Sequence, residues 1–248
     1  MMILTIAHKE FRSLFAAPST WLILAALQFI FAWFFLARLD AYLQIQTQLA
    51  QVANAPGATV SVASPLFGTL ALMLMMLIPL FTMRLLAEER RNQTLALLLA
   101  APVSSSQIVL GKFLSLLLFI ALIIGSCTLM LCILGFGTRL DAGLLMANAL
   151  GLLLLTSSYA VLGLYLSALT KQPIVAAMSA TALSFGLWLM DIGSSDSANE
   201  LRSLSPTAHA QNLNAGLLLS ADLIYFALFI ATFLLLTIRR VNNNRMYA

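Results

Sequence analysis

Six almost unbroken apolar runs, at about residues 20–38, 65–84, 113–136, 144–169, 174–190 and 217–238, leave this chain few folds to choose from. A helix needs about 20 apolar residues to cross about 30 Å of hydrocarbon, and each run is near or above that length. Composition agrees: 61% of the residues are hydrophobic and 9% are charged, against about 25% charged in soluble domains. The mean hydropathy is +0.97. An all-α integral membrane protein with six transmembrane helices follows. The longest polar interval, Leu39 to Ser64, is too short for a soluble domain, so one transmembrane domain is expected over residues 1–248. No cleavable signal is read, because the first run follows an amphipathic segment and lacks an A-x-A-like site after it.

With an even number of spans, both ends share one side. That side holds Lys9, Arg12, Arg84, Arg90, Arg91, Lys112, Lys171, Arg239, Arg240 and Arg245, and the other keeps Arg38, Arg139 and Arg202. The positive-inside rule then makes both termini cytoplasmic. Most acidic residues fall outside (Asp40, Asp141, Asp191, Asp196, Glu200 and Asp222), with Glu10, Glu88 and Glu89 inside. The sequence pI near 9.4 therefore reflects topology. Basic residues spread over separate loop ends form no nucleic-acid-binding face.

Residues 1–17 place Ile3, Leu4, Ala7, Phe11, Leu14 and Phe15 at helical spacing, with His8, Lys9, Glu10 and Arg12 elsewhere on the wheel. This predicts an amphipathic interfacial helix, Phe11 and its apolar neighbours at the headgroup boundary and Lys9 and Arg12 reaching phosphates. Pro18 with Ser19 or Thr20 resets the chain before the first span. Between the second and third runs, the charges of Arg84, Glu88, Glu89, Arg90 and Arg91 must surface, since a charge at the bilayer centre costs about 2.5 kcal/mol or more. Pro79 predicts a kink in the second span, and Arg84 and Glu88 are i,i+4 neighbours on its extension. Asn92, Gln93 and Thr94 stop that helix, Leu95 to Ala101 forms a short apolar helix, and Pro102 ends it. Ser104 with Gln107 matches a capping box for the third span. Leucines exposed on a short cytoplasmic helix need a partner surface.

Other residues point to packing. Cys127 and Cys132 stand about 140° apart on a helix and read as buried small hydrophobes. His8 and His209 fall on opposite sides of the membrane, with no second ligand at metal spacing. The Met residues, Met73, Met75 and Met76 among them, are ordinary helix filling. Gly163 and Ser167, with Ser157, Ser158 and Ala160, form a small-residue face where another helix approaches closely. Only Arg84 and Asp222 bring charge near the span ends, where a proton-coupled carrier or an intramembrane enzyme would need ionisable groups deeper.

The stretch from Glu88 to Phe113 resembles the coupling region of ABC-2 type transporter permeases, whose usual pattern is close to E-x-x-x-G-T-L-E-L-L-L-x-x-P-V-S-x-x-x-I-V-L-G-K. Gly163 to Ala176, GLYLSALTKQPIVA, is similar to that family's fourth-span exit, and Leu204 to Arg240 to its last outer loop and sixth span. Within the family, the likeness is greatest to the small permeases of the gliding-motility and nitrous-oxide-reductase-maturation type. The chain departs at Gln93, where the family usually has Gly, at Ala96, where it has Glu, and at Thr207 to Ala210, where aromatic residues are common.

The resemblance implies an ABC-2 (type V exporter-like) fold with a cytoplasmic coupling helix in segment 88–102. It implies a half-transporter in the bacterial inner membrane, surrounded by lipid and paired with a second permease subunit, identical or related. Each subunit would be bound to a separate cytoplasmic ABC ATPase that holds ATP and Mg. This chain is expected to be no enzyme by itself. The match to a phosphate loop is limited to Gly111 with Lys112, with Ser106 where the first Gly belongs and Phe113 where Ser or Thr belongs. On the implied docking surface, Glu88, Glu89, Arg90 and Arg91 position the ATPase. Thr94 caps the coupling helix, Leu95, Leu97, Leu98 and Leu99 fill the ATPase groove, and Pro102 closes the segment. Two roles follow: export of an apolar, amphipathic or lipid-linked substrate, or a membrane anchor that relays ATPase motion to an extracytoplasmic auxiliary protein. No pattern in the spans names the cargo.

Overall fold

The computed structural model describes residues 2–49, 57–94, 103–136, 140–193 and 200–246. Among them every regular element is helical. Helix α1 (Met2–Ala16) precedes α2 (Pro18–Leu49). A π-helical turn at Thr59–Ala63 then leads into α3 (Ser64–Met83), a second at Arg84–Glu88 follows it, and the short α4 (Glu89–Arg91) completes the rod. The remaining helices are α5 (Ser105–Leu131), α6 (Ala142–Leu169), α7 (Pro173–Gly193), α8 (Glu200–Ser203), α9 (Pro206–Asn214) and α10 (Ser220–Met246). Six helical segments are long and apolar enough to cross a membrane: Pro18–Gln46, Thr59–Arg91, Ser105–Gly135, Ala142–Leu169, Pro173–Asp191 and Ser220–Asn243. The first three begin before their apolar runs and the sixth continues past its run to Asn243, because polar residues prolong those helices, although the sixth starts at Ser220, inside its run.

Helix α6 is the hub. Two-thirds (67%) of its most apolar window is buried, against 17% in α2 and in α10, and its small residues explain the difference. A Cβ added at Gly163 would lie 2.3 Å from Thr82 Oγ1, and one at Gly151 would lie 2.7 Å from Leu213 Cβ. Helices α3 and α9 therefore seat directly on the α6 backbone. The hydroxyls of Thr156, Ser157 and Ser158 fold back onto the carbonyls of Leu152, Leu153 and Leu154 at 2.6–3.0 Å, so they can be buried without seeking distant partners. The outer helices leave Trp21, Phe29, Trp33 and Ile174 exposed, as suits surfaces that face lipid.

Helix starts follow the local chemistry. Ser104 and Gln107 form the reciprocal capping box of α5, with Gln107 N donating to Ser104 Oγ at 3.3 Å and Ser104 N to Gln107 Oε1 at 3.1 Å. At the head of α6, Asp141 Oδ1 accepts from Leu144 N at 3.1 Å. Two expectations need correction. Cys127 is buried, but Cys132 is exposed, because it lies past the end of α5 in a 3₁₀ turn. His209 does have a carboxylate partner: its Nδ1 lies 2.6 Å from Asp222 Oδ1, and its ring stacks on Tyr225 with centroids 4.0 Å apart. Folding α9 back onto α10 brings together residues that sequence spacing keeps apart.

Candidate coupling site

Helices α1, α4 and α5 meet at one buried cation. Gly111 on α5 makes the approach possible, since a Cβ there would lie 2.7 Å from Ile6 Cγ2 and 3.2 Å from the Ile3 carbonyl. One residue on, Lys112 is fully buried. Its Nζ lies 3.2 Å from Glu10 Oε1 on α1 and 2.7 Å from Glu89 Oε1 on α4. A buried charge is tolerated when paired and costs heavily when its partner is removed, so this triad fixes the geometry of three helices. Aromatic contacts continue the seam. Phe15 meets Phe119 at 5.5 Å between centroids, and Phe119 meets Phe81 at 4.9 Å, linking α1, α5 and α3.

The end of α3 is tied to α6 as firmly. Its exit is a π turn rather than the regular helix that would pair Arg84 with Glu88. Five residues after the buried Pro79, the widened turn frees backbone amides, and Ser167 of α6 takes them. Its Oγ accepts from Ala87 N at 2.9 Å and Leu86 N at 3.3 Å and donates to the Met83 carbonyl at 3.2 Å. Arg84 reaches sideways to Ser19 Oγ at 3.5 Å. Arg90 Nη1 donates to the carbonyl of Ala168, the penultimate residue of α6. The rod ends at Gln93, which has φ of +58°. L side chains adopt that region at a cost of about 1–2 kcal/mol, which explains why the resembling pattern has Gly there.

These contacts sort the docking residues read from sequence. Glu88, Arg91 and Thr94 are exposed, and Thr94 Oγ1 donates back to the Glu89 carbonyl at 3.3 Å. Glu89 and Arg90 are turned inward, onto Lys112 and Ala168, because the π turn rotates them toward the bundle. Leu95, Leu97, Leu98, Leu99 and Pro102 lie outside the described residues. In α1, Lys9 and Arg12 are exposed. Phe11, Leu14 and Phe15 pack against the protein core, so this part of the apolar stripe covers protein rather than lipid, leaving Met2 and Leu4 exposed. Sequence reasoning placed Lys112 on the cytoplasmic side and gave it no partner. The signal that could have found its role was the Gly-Lys pair that closes the coupling pattern, one residue for close approach and one for charge.

Beside this block, a groove of about 530 Å³ is lined by Arg90, Arg91 and Lys171 together with Gln93 and Gln172, and no carboxylate lines it among the described residues. The arrangement has a braced helical end and a basic groove. Among the described residues it holds no group of three or more potential metal ligands. The model of the ABC-2 family transporter protein matches residues 4–241, taking in the whole braced end. The chain belongs to the ABC-2 transporter family. It is therefore a multi-pass membrane protein of the permease type, the non-enzymatic membrane subunit that associates with an ABC ATPase and usually with a second permease. No curated protein matches the chain.

Proposed function

We propose that this ABC-2 permease couples ATP hydrolysis by a separate cytoplasmic ATPase, which binds ATP and Mg, to export of an apolar, amphipathic or lipid-linked substrate. It would act in the bacterial inner membrane, paired with a second permease, with both termini cytoplasmic. The observation that carries the reading is the convergence of α1, α4 and α5 on Lys112. A push on segment 88–102 would pass through Glu89 and Lys112 into α1 and α5, and through Arg90 and Ser167 into α6. The bundle would then rock as a body rather than deform locally. The basic groove of Arg90, Arg91 and Lys171 would receive an acidic face of the ATPase, while Leu95, Leu97, Leu98 and Leu99 fill its pocket. Within the family, we place the chain with the small permeases of the gliding-motility and nitrous-oxide-reductase-maturation type, which it most resembles.

The test is ATP hydrolysis by the permease–ATPase complex reconstituted in vesicles. Export predicts stimulation by amphiphilic cargo. A membrane anchor that relays motion outward predicts stimulation only by an extracytoplasmic auxiliary protein. Hydrolysis by the purified permease alone would contradict both.

A further inference from the structure

At the end of the bundle remote from Lys112, α3 and α6 separate around a cavity of about 360 Å³, closed over by α9 and flanked by the end of α7. Its walls carry three polar atoms that are buried with no hydrogen-bond partner among the described residues: Asn148 Oδ1, Asn214 Oδ1 and the Tyr159 hydroxyl. Asn148 and Tyr159 are 2% and 1% exposed. Such groups each cost about 1–3 kcal/mol when left unmatched, and native interiors rarely gather several in one place. Nothing in the packing forces them there. A Cβ added at Gly68, on the cavity wall, would meet nothing within 4 Å.

The chemistry of the walls selects a ligand. Asn148 Nδ2 donates to Ser64 Oγ at 3.1 Å, and Asn214 Nδ2 donates to the Ser64 carbonyl at 3.3 Å. Both amides thus commit their nitrogens to Ser64 and leave their carbonyl oxygens, which can only accept, unmatched on residues that line the cavity. The one charged lining residue among those described is Asp191, whose oxygens receive Arg202 Nε at 3.3 Å and Gln211 Nε2 at 2.6 Å. No cation lines the cavity among the described residues, and Arg202 is already paired with Asp191, so an anionic headgroup would find no free counter-charge in the wall. The remaining wall is apolar, with Phe67, Met75, Leu152, Leu155 and Trp188. Leu72, which also lines the cavity, is 42% exposed, an apolar edge by which a lipid tail would enter. The volume is at the low end for ligand sites and suits a headgroup with the first part of its chains.

We infer that this cavity binds the head of an uncharged, hydroxyl-bearing amphiphile, whose donors satisfy Asn148, Asn214 and Tyr159 while its tails stay in the membrane. The inference deepens the export reading by placing a cargo class at a site, and it rests on that reading only in calling the ligand cargo. The test uses the full chain in phosphatidylcholine nanodiscs containing a monoglucosyl diacylglycerol, whose sugar carries four hydroxyl donors, with a diazirine beside the glycerol. Light should attach the probe to cavity-wall residues such as Met75, Leu152 and Trp188. Gly68→Trp, which fills the space, should cut that labelling about ten-fold, equivalent to 1.4 kcal/mol. Gly68→Ala should leave it unchanged, as a control for folding. Phosphatidic acid carrying the same diazirine and chains should label the wall less than a tenth as well.

Equal labelling by the two lipids would overturn the inference. So would an absence of cavity labelling, or labelling that Gly68→Trp does not reduce. Recovery of the ATPase with the chain, measured on the same preparations, reports the permease reading separately. Intact recovery without cavity labelling would remove the site and leave that reading standing.

Discussion

Helices α3 and α6 run side by side through the bundle, yet their two ends are built on opposite plans. At the Lys112 end, Thr82 presses on Gly163, Ser167 takes two backbone amides of the π turn, and Arg90 takes the Ala168 carbonyl. At the far end a cavity opens between the same helices, where Asn148 Nδ2 still holds Ser64 Oγ but Asn148 Oδ1 and the Tyr159 hydroxyl find no partner among the described residues. A membrane interior gives no water to repair an unmet polar group, so the contrast divides labour. On the proposed reading, one end carries force and the other takes a ligand.

The largest expected effect tests the brace. Lys112→Met strands Glu10 and Glu89 against each other, and breaking a buried ion pair costs about 3–5 kcal/mol. Loss of thermal stability, with protease cleavage appearing in α1, should report it. Adding Glu10→Gln and Glu89→Gln to Lys112→Met should recover most of the loss, because a matched neutral cluster needs no cation. Wild-type stability in Lys112→Met alone would mean the triad holds nothing.

Next come the two contacts between α3 and α6. Ser167→Ala leaves the Leu86 and Ala87 amides without their acceptor, for about 1–3 kcal/mol, and Gly163→Ala drives a methyl into Thr82 for a similar about 1–3 kcal/mol. Both should lower the melting temperature. At Gln93 the sign reverses. Gln93→Gly relieves the left-handed backbone and should stabilise the chain by about 1 kcal/mol, visible as slower amide exchange through α4.

The smallest effect belongs to the open end. Tyr159→Phe removes a hydroxyl with no partner among the described residues, so stability should stay within about 0.5 kcal/mol of the parent, or rise. A loss comparable to that of Ser167→Ala would show that the far end is braced too, and the contrast would fail.

Much of this was legible in the sequence. The six spans are apolar runs that hydropathy reads directly, and the Ser104–Gln107 capping box is local chemistry. The small-residue face of Gly163 and Ser167 announced a close helix, though not that Thr82 would fill it. The pairing of Lys112 was not legible, because its two carboxylates, Glu10 and Glu89, come from helices distant in sequence. The π turn at Arg84–Glu88 leaves no trace in composition, and it alone turns Glu89 and Arg90 inward. The cavity was invisible for a similar reason. Asn148 and Tyr159 look like ordinary mid-span polar residues until α9 folds back over them.

Recovery of the ATPase with the permease across a salt series tests the claim that force enters at the Lys112 end most directly. Arg91→Glu with Lys171→Glu reverses two exposed charges of the basic groove and spares the inward Glu89 and Arg90. Charges of this kind steer and position partners, so recovery should fall and depend on salt. Leu97→Ala with Leu98→Ala removes apolar area worth about 25 cal/mol per Å² when buried, so recovery should fall at every salt concentration while the permease still inserts. Wild-type recovery from both double variants would contradict the account, because the ATPase would then be docking elsewhere.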